Sequence, residues 1–236
     1  MSGYIAAGLS SLDNIENGFM EKGKRTKKSQ RWASLIVAIF LSACATFQVA
    51  GDIQTGRMEL LYGDPKVALA HFQRAAQTDP GYRLSYSIFP EGVWTYVGRA
   101  YYAAGNLRQA RDALERARRE HREDNLATLY LGLVLLRDGE HEKGQKEIEA
   151  GLKGVVDWYD YVELYHTDGR FWDPGRQVRS AIQRQLAAVK GREINAKELI
   201  QNVAWLGREI EIEIDRAKDD KMQDWMRTNS GGAMGQ

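Results

Sequence analysis

Trp94-Thr95-Tyr96-Val97-Gly98-Arg99-Ala100-Tyr101-Tyr102-Ala103-Ala104-Gly105-Asn106-Leu107-Arg108-Gln109-Ala110-Arg111-Asp112-Ala113-Leu114-Glu115-Arg116-Ala117 decides the fold. Gly105 separates two helix-like stretches, and its surroundings recur around Gly63 and Gly139. Five residues after each glycine stands a small residue: Ala68, Ala110, Gly144. Nine after comes a bulky apolar one, Phe72, Leu114 or Ile148, and twelve after another small one, Ala75, Ala117 or Gly151. Seven before each stands a further glycine: Gly56, Gly98, Gly132. Two antiparallel helices joined by a tight turn must approach closely, so small residues mark where their axes cross. The bulky residue fills the space between one helix pair and the next. Gly63, Gly105 and Gly139 are expected to end each first helix in a left-handed conformation, which glycine adopts without steric cost.

These columns resemble the tetratricopeptide repeat family, whose unit is about 34 residues. The middle unit carries the fullest set: Trp94, Val97, Gly98 and Tyr101, then Ala110, Leu114 and Ala117. The first adds Phe72, Ala75 and a closing Pro80. The third keeps Gly132, Gly139 and Ile148 but has Gly144 and Gly151 where alanine is usual. Gly105 and Gly139 are 34 residues apart, whereas Gly63 and Gly105 are 42 apart, the excess falling near Arg83–Gly92. Arg122 stands where proline normally closes a unit. The resemblance implies an all-α fold, a helical-hairpin repeat array over 49–158 with units near 49–82, 91–124 and 125–158. It also implies a non-enzymatic scaffold that binds protein partners in its groove. The family hosts many unrelated partners, so the fold alone names none.

In that family the first helix of each unit lines the concave groove. The groove candidates are therefore Arg57, Thr95, Arg99, Tyr102, Leu129, Leu133 and Leu136. The stretch Leu126–Leu136 is apolar on nearly every side, and such a helix must be buried all round. Something is expected to cover Leu129, Leu133 and Leu136. Two covers are open: the chain's own C-terminal helix, which takes precedence, or a partner's amphipathic helix or extended peptide.

Beyond Trp158 the pattern changes. Region 159–227 opens with aromatic residues, turns at Asp173-Pro174-Gly175, and continues as helices near Arg176–Lys190 and Ala196–Arg227. Leu199, Val203, Leu206, Ile210, Ile214 and Ala217 recur at helical spacing. The strand-like alternation Glu209–Ile214 has no breaker around it and reads as helix, with Ile212 on the polar side. Residues 228–236 read as a disordered tail. His71, His121, His141 and His166 do not pair at metal-ligand spacing, and no metal site or cofactor is expected. His166, Asp168 and Asp173 are the one set of imidazole and carboxylates that the turn brings close. They carry the alternative reading of a cell-envelope enzyme, against a plain turn that buries aromatic residues. No nucleophile elbow or glycine-rich phosphate loop is present, so no catalytic residue is assigned.

At the other end, Lys22, Lys24, Arg25, Lys27, Lys28 and Arg31 precede the apolar run Ser34–Leu41, and Leu41-Ser42-Ala43-Cys44 closes it with the only cysteine. The charged, apolar, small-residue order is that of a secretory signal. The last four residues resemble the lipobox of bacterial lipoproteins. That resemblance implies cleavage after Ala43 and acylation of Cys44 by fatty acyl chains, palmitate among them. Residues 1–43 are then a signal segment and 44–48 a lipidated linker. Met20 would start a signal of ordinary length, making 1–19 a spurious extension. Several acyl chains together give stable anchoring. The chain would sit in the cell envelope on the periplasmic side, and Ala45 after the cysteine favours the outer membrane where there are two, by the family's rule. The alternative is an uncleaved single-pass inner-membrane anchor, since Trp32–Ala50 carries no charge and nearly reaches spanning length.

Six of the 33 Lys and Arg and three of the 32 Asp and Glu precede Cys44, leaving 27 positive and 29 negative charges beyond it. So balanced a surface gives no reason to expect nucleic acid. With Cys44 acylated no thiol remains, and disulfide or redox chemistry drops out.

Overall fold

The computed structural model describes residues 47–84, 91–191 and 195–230. The signal-like segment with Cys44, most of the Arg83–Gly92 insertion, and residues 231–236 of the tail lie outside them. Helix α1 covers 47–62. It is followed by α2 (Pro65–Thr78), α3 (Val93–Ala103), α4 (Leu107–Glu120), α5 (Asn125–Arg137), α6 (His141–Tyr165), α7 (Gln177–Lys190) and α8 (Ala196–Ser230). A 3-10 turn, Gly169–Phe171, links α6 to α7. Among the described residues no strand forms, and an isolated antiparallel bridge joins Arg83 to Gly92 at the base of the insertion.

The first six helices make three hairpins, each packed on the next, and the repeat columns explain how. A Cβ on Gly56 would lie 2.5 Å from Phe72, on Gly98 2.5 Å from Leu114, and on Gly132 2.7 Å from Ile148. One crossing thus recurs three times, with glycine admitting the bulky residue of its partner helix. In the third hairpin a second close approach appears. A Cβ on Gly144 would meet Leu136 at 2.8 Å, and one on Gly151 would meet the Leu129 backbone nitrogen at 2.8 Å. Glycine there is a packing requirement, and α6 forms despite three glycines because α5 braces it.

Gly105 and Gly139 end α3 and α5 with φ of +81° and +85°. Gly63 departs from the expectation, since its φ is not positive. The α1–α2 turn is closed by Glu59, whose backbone oxygen accepts from Gly63 N at 2.9 Å. The Glu59 carboxylate accepts from Asp64 N at 3.1 Å. Asp64 then caps α2, accepting from Lys66 N at 2.8 Å, with Pro65 in the first turn.

Helix α6 runs unbroken through Trp158 to Tyr165, so the third unit merges with the following region. Trp158 meets Trp172 edge-on, with centroids 5.3 Å apart. At Asp173-Pro174-Gly175 the chain reverses, and the fully buried Asp173 accepts from Val178 N at 3.0 Å and Arg179 N at 2.9 Å, closing the start of α7. Helix α8 continues through 209–214 without interruption. Its stripe of Leu199, Val203, Leu206, Ile210, Ile214 and Ala217 is buried, while Ile212 is half-buried. No helix among the described residues is long and apolar enough to cross a membrane.

Candidate functional site on the concave face

Arg57 on α1 and Arg99 on α3 each follow the crossing glycine of their hairpin, so the repeat geometry points both the same way. Both are buried. Between them lies Glu211 of α8, itself 1 % exposed, whose carboxylate pairs with Arg57 Nε through one oxygen and Arg99 Nη1 through the other. Arg57 also donates to Asp215 at 3.0 Å, and Arg208 of α8 donates to the Leu61 carbonyl at 2.8 Å. Arg99 adds a bond to Glu91 at 3.0 Å, and Glu91 accepts from the Tyr96 hydroxyl. The Arg99 guanidinium lies 5.1 Å from the Tyr130 ring centroid and 5.5 Å from that of Tyr96. Tyr130 in turn abuts Gly207, where an added Cβ would lie 2.5 Å from its hydroxyl. Helix α8 therefore occupies the concave face, held by apolar packing and by ion pairs.

Burial sets the electrostatics. Removal from water pushes the Glu91 carboxyl up to about 8, and the neighbouring Glu211 charge adds to the effect. Burial also acts to raise Glu211, but the Arg99 and Arg57 guanidiniums outweigh it and hold that carboxyl below its ordinary range. Glu211 is thus the buried anion that the two arginines share, with Asp215 as a second carboxylate on Arg57, whereas Glu91 holds its proton at neutral pH.

None of the seven groove candidates is open to a partner in this structure. Arg57 and Arg99 reach the concave face but are engaged by α8. Tyr102 is 7 % exposed, edge-on to Tyr130 at 5.8 Å and covered by Arg137 at 4.9 Å from its centroid. Thr95 points elsewhere, donating to buried Asp124, which caps α5 by accepting from Ala127 N at 2.9 Å. Leu129 and Leu136 face Gly151 and Gly144 of α6, inside their own hairpin, and Leu133 is fully buried. The apolar α5 is covered on several sides at once: α6 takes the Leu129–Leu136 face, while α8 takes the Tyr130 face. Of the two covers that the sequence left open, the C-terminal helix fills the concave face.

Glu91, Tyr130, Gly207 and Glu211 were not singled out from the sequence. The signal was present, since Gly207 and Glu211 are one helical turn apart beside the apolar stripe of α8.

The His166, Asp168 and Asp173 set does not assemble. His166 is exposed and meets Tyr161 edge-on at 5.5 Å. Asp168 pairs with Lys221 at 2.5 Å, and Asp173 is committed to the α7 cap. Among the described residues, no group of three or more His, Cys, Asp or Glu is placed to hold a metal ion.

The tetratricopeptide repeat family matches residues 98–144, from the crossing glycine of α3 to that of α6. No curated protein and no solved structure matches the chain. Repeats of this family generally mediate protein–protein interaction. The recurring glycine crossings and the family match lead to one conclusion, that the chain is an all-α, tetratricopeptide-like helical repeat array extended by two C-terminal helices.

Proposed function

We propose that this chain is a non-enzymatic, protein-binding scaffold of a bacterial cell envelope, tethered to a membrane through lipid on Cys44. The observation that carries the binding role is the repeat array, a stack of hairpins that presents extended surface rather than an enclosed reaction site. The tether rests on Leu41-Ser42-Ala43-Cys44 at the end of a basic-then-apolar segment. Helix α1 already begins at residue 47, three positions after Cys44 in the sequence. The outer membrane is favoured by Ala45 where the organism has two membranes.

The enzyme reading draws no support from His166, Asp168 and Asp173, whose side chains are separately engaged. Two measurements test the proposal. Intact mass of the native protein should give a chain beginning at Cys44 with added acyl mass, and Cys44→Ser should leave an uncleaved or mislocalised product. An unmodified chain beginning elsewhere would contradict the tether. Co-purification from detergent-solubilised envelopes should recover the chain in a stoichiometric complex, and a chain that elutes alone would contradict the scaffold.

A further inference from the structure

With the concave face occupied by α8, the opposite side of the array carries an open groove of about 500 Å³ between α2 and α4. Its floor is α3. Val97 lies at the centre, with Ala76 and Ala113 beside it keeping the walls low. Trp94 and Tyr101 stand at the two ends, seven residues apart on one helix, or about 10 Å at 1.5 Å per residue. That length holds about three residues of extended chain at roughly 3.3 Å each.

The rim is polar, and part of it is unengaged. Gln77 on α2, toward the Trp94 end, and Gln109 on α4, toward the Tyr101 end, stand on opposite walls of the groove. Both are exposed, and their amides have no hydrogen-bond partner among the described residues. Each amide offers a donor and an acceptor side by side, which matches the C=O and N–H of a peptide bond. The two charges on the rim differ in state. Arg116 is paired with Glu120 at 2.8 Å and lies over the Trp94 ring at 3.6 Å from its centroid. Asp112 is exposed, and its carboxylate has no ion pair or hydrogen bond among the described residues. The Trp94 indole N–H is spent on the Pro80 carbonyl at 3.0 Å, and the Tyr101 hydroxyl accepts from Gln73 at 2.7 Å. The rings therefore serve as end walls already tied into the protein. A sugar stacks on a free aromatic face, and Arg116 already covers that of Trp94, so the Trp94 end favours a peptide.

We infer that the α2–α4 groove binds an extended segment of a partner protein. One apolar side chain of that segment lies above the buried Val97, between the half-buried Trp94 and Tyr101 rings. Its backbone pairs with Gln77 toward one end and Gln109 toward the other, and an adjacent Lys or Arg reaches Asp112. This names a site and a partner chemistry for the scaffold role and rests on that reading.

The test uses the full chain in detergent, labelled with nitrogen-15, titrated with a capped Gly-Leu-Lys-Gly peptide. The same peptide with Glu in place of Lys and the neutral sugar maltotriose serve as counter-probes. Saturable shifts of the Trp94 indole N–H and of the Gln77 and Gln109 side-chain amides are expected with the lysine peptide alone. Asp112→Asn should weaken binding roughly two- to fivefold, the range of an exposed ion pair, and Asp112→Lys should reverse the preference toward the glutamate peptide. Because Asp112 is exposed and unpaired, both variants should keep the parent spectrum elsewhere. Equal response to both peptides, response to maltotriose instead, or no response at these groups would overturn the inference. Recovery of the envelope complex at full yield with Asp112→Lys would overturn the groove while leaving the scaffold reading intact. Loss of the complex from the unaltered chain would remove both.

Discussion

Arg99 and Glu211, 112 residues apart in sequence, form a buried ion pair that fixes the C-terminal helix to the middle repeat. The other oxygen of the same carboxylate engages Arg57 of the first repeat, so one anion ties three helices together.

Removing that anion leaves two buried guanidiniums without their shared carboxylate, Arg57 keeping its bonds to Asp215 and Gln54 and Arg99 its bond to the protonated Glu91. Breaking a buried pair by deleting one partner costs about 3–5 kcal/mol. Glu211→Gln should lower the urea midpoint accordingly. Glu209→Gln, two residues away and only half-buried, should change stability by no more than about 0.5 kcal/mol.

The repeat crossings give an opposed pair of glycine substitutions. Gly98→Ala places a Cβ 2.5 Å from Leu114 Cγ and 3.3 Å from the Leu114 backbone nitrogen, so the helices must separate. Overpacking of this kind costs about 1–3 kcal/mol, and Ala110→Leu should behave alike. Gly51→Ala meets nothing within 4 Å on an exposed helix position and should gain about 0.5–1 kcal/mol. Thermal or urea unfolding of the three variants checks the signs.

Those crossings were legible in the sequence because close approach leaves a residue-size signature at fixed spacing. Gly56, Gly98 and Gly132 lie at the close helix crossings that small residues mark. Each, however, admits the bulky residue of its own hairpin, where the spacing alone puts that residue between one hairpin and the next. Glu209–Ile214 is helical, as its unbroken surroundings indicate. The Gly63 turn was not legible in the same way, because the Glu59 side chain supplies the closure that a left-handed glycine gives elsewhere. The placement of Leu129 and Leu136 went astray for a related reason. In an all-apolar helix, periodicity does not say which side meets which neighbour, and the glycines of α6 decide it. Nor does composition mark Glu91 and Glu211 as buried, since that depends on arginines far away in the chain.

Glu91 makes stability depend on pH. Its carboxyl binds a proton more tightly folded, with a value of about 8, than unfolded, where it is near 4.5. The folded state therefore holds the extra proton between these values. Its contribution is complete below about pH 4.5 and declines as pH rises toward 8. Glu91→Gln mimics the neutral carboxyl and should flatten this decline. The variant should be close to the parent near pH 5 and more stable than it near pH 9, as read from urea midpoints across the range.

Ending the chain after Gly191 removes α8 alone. Its six stripe residues are buried, and full burial of a large aliphatic side chain is worth roughly 1.5–3 kcal/mol. Tyr130, Arg57 and Arg99 would face water together. The shortened chain should bind a hydrophobic dye and self-associate, and a monomer of unchanged stability would show that α8 is not a structural part of the array.

The central claim is that the repeat array engages proteins while its own helix keeps the concave face closed. Site-specific photo-crosslinking in intact cells reads this directly, with p-azidophenylalanine placed at Gln109 on the outer groove or at Tyr102 on the concave side. Light-dependent protein adducts from position 109 and none from position 102 are predicted. Adducts from position 102, or none from position 109, would contradict it.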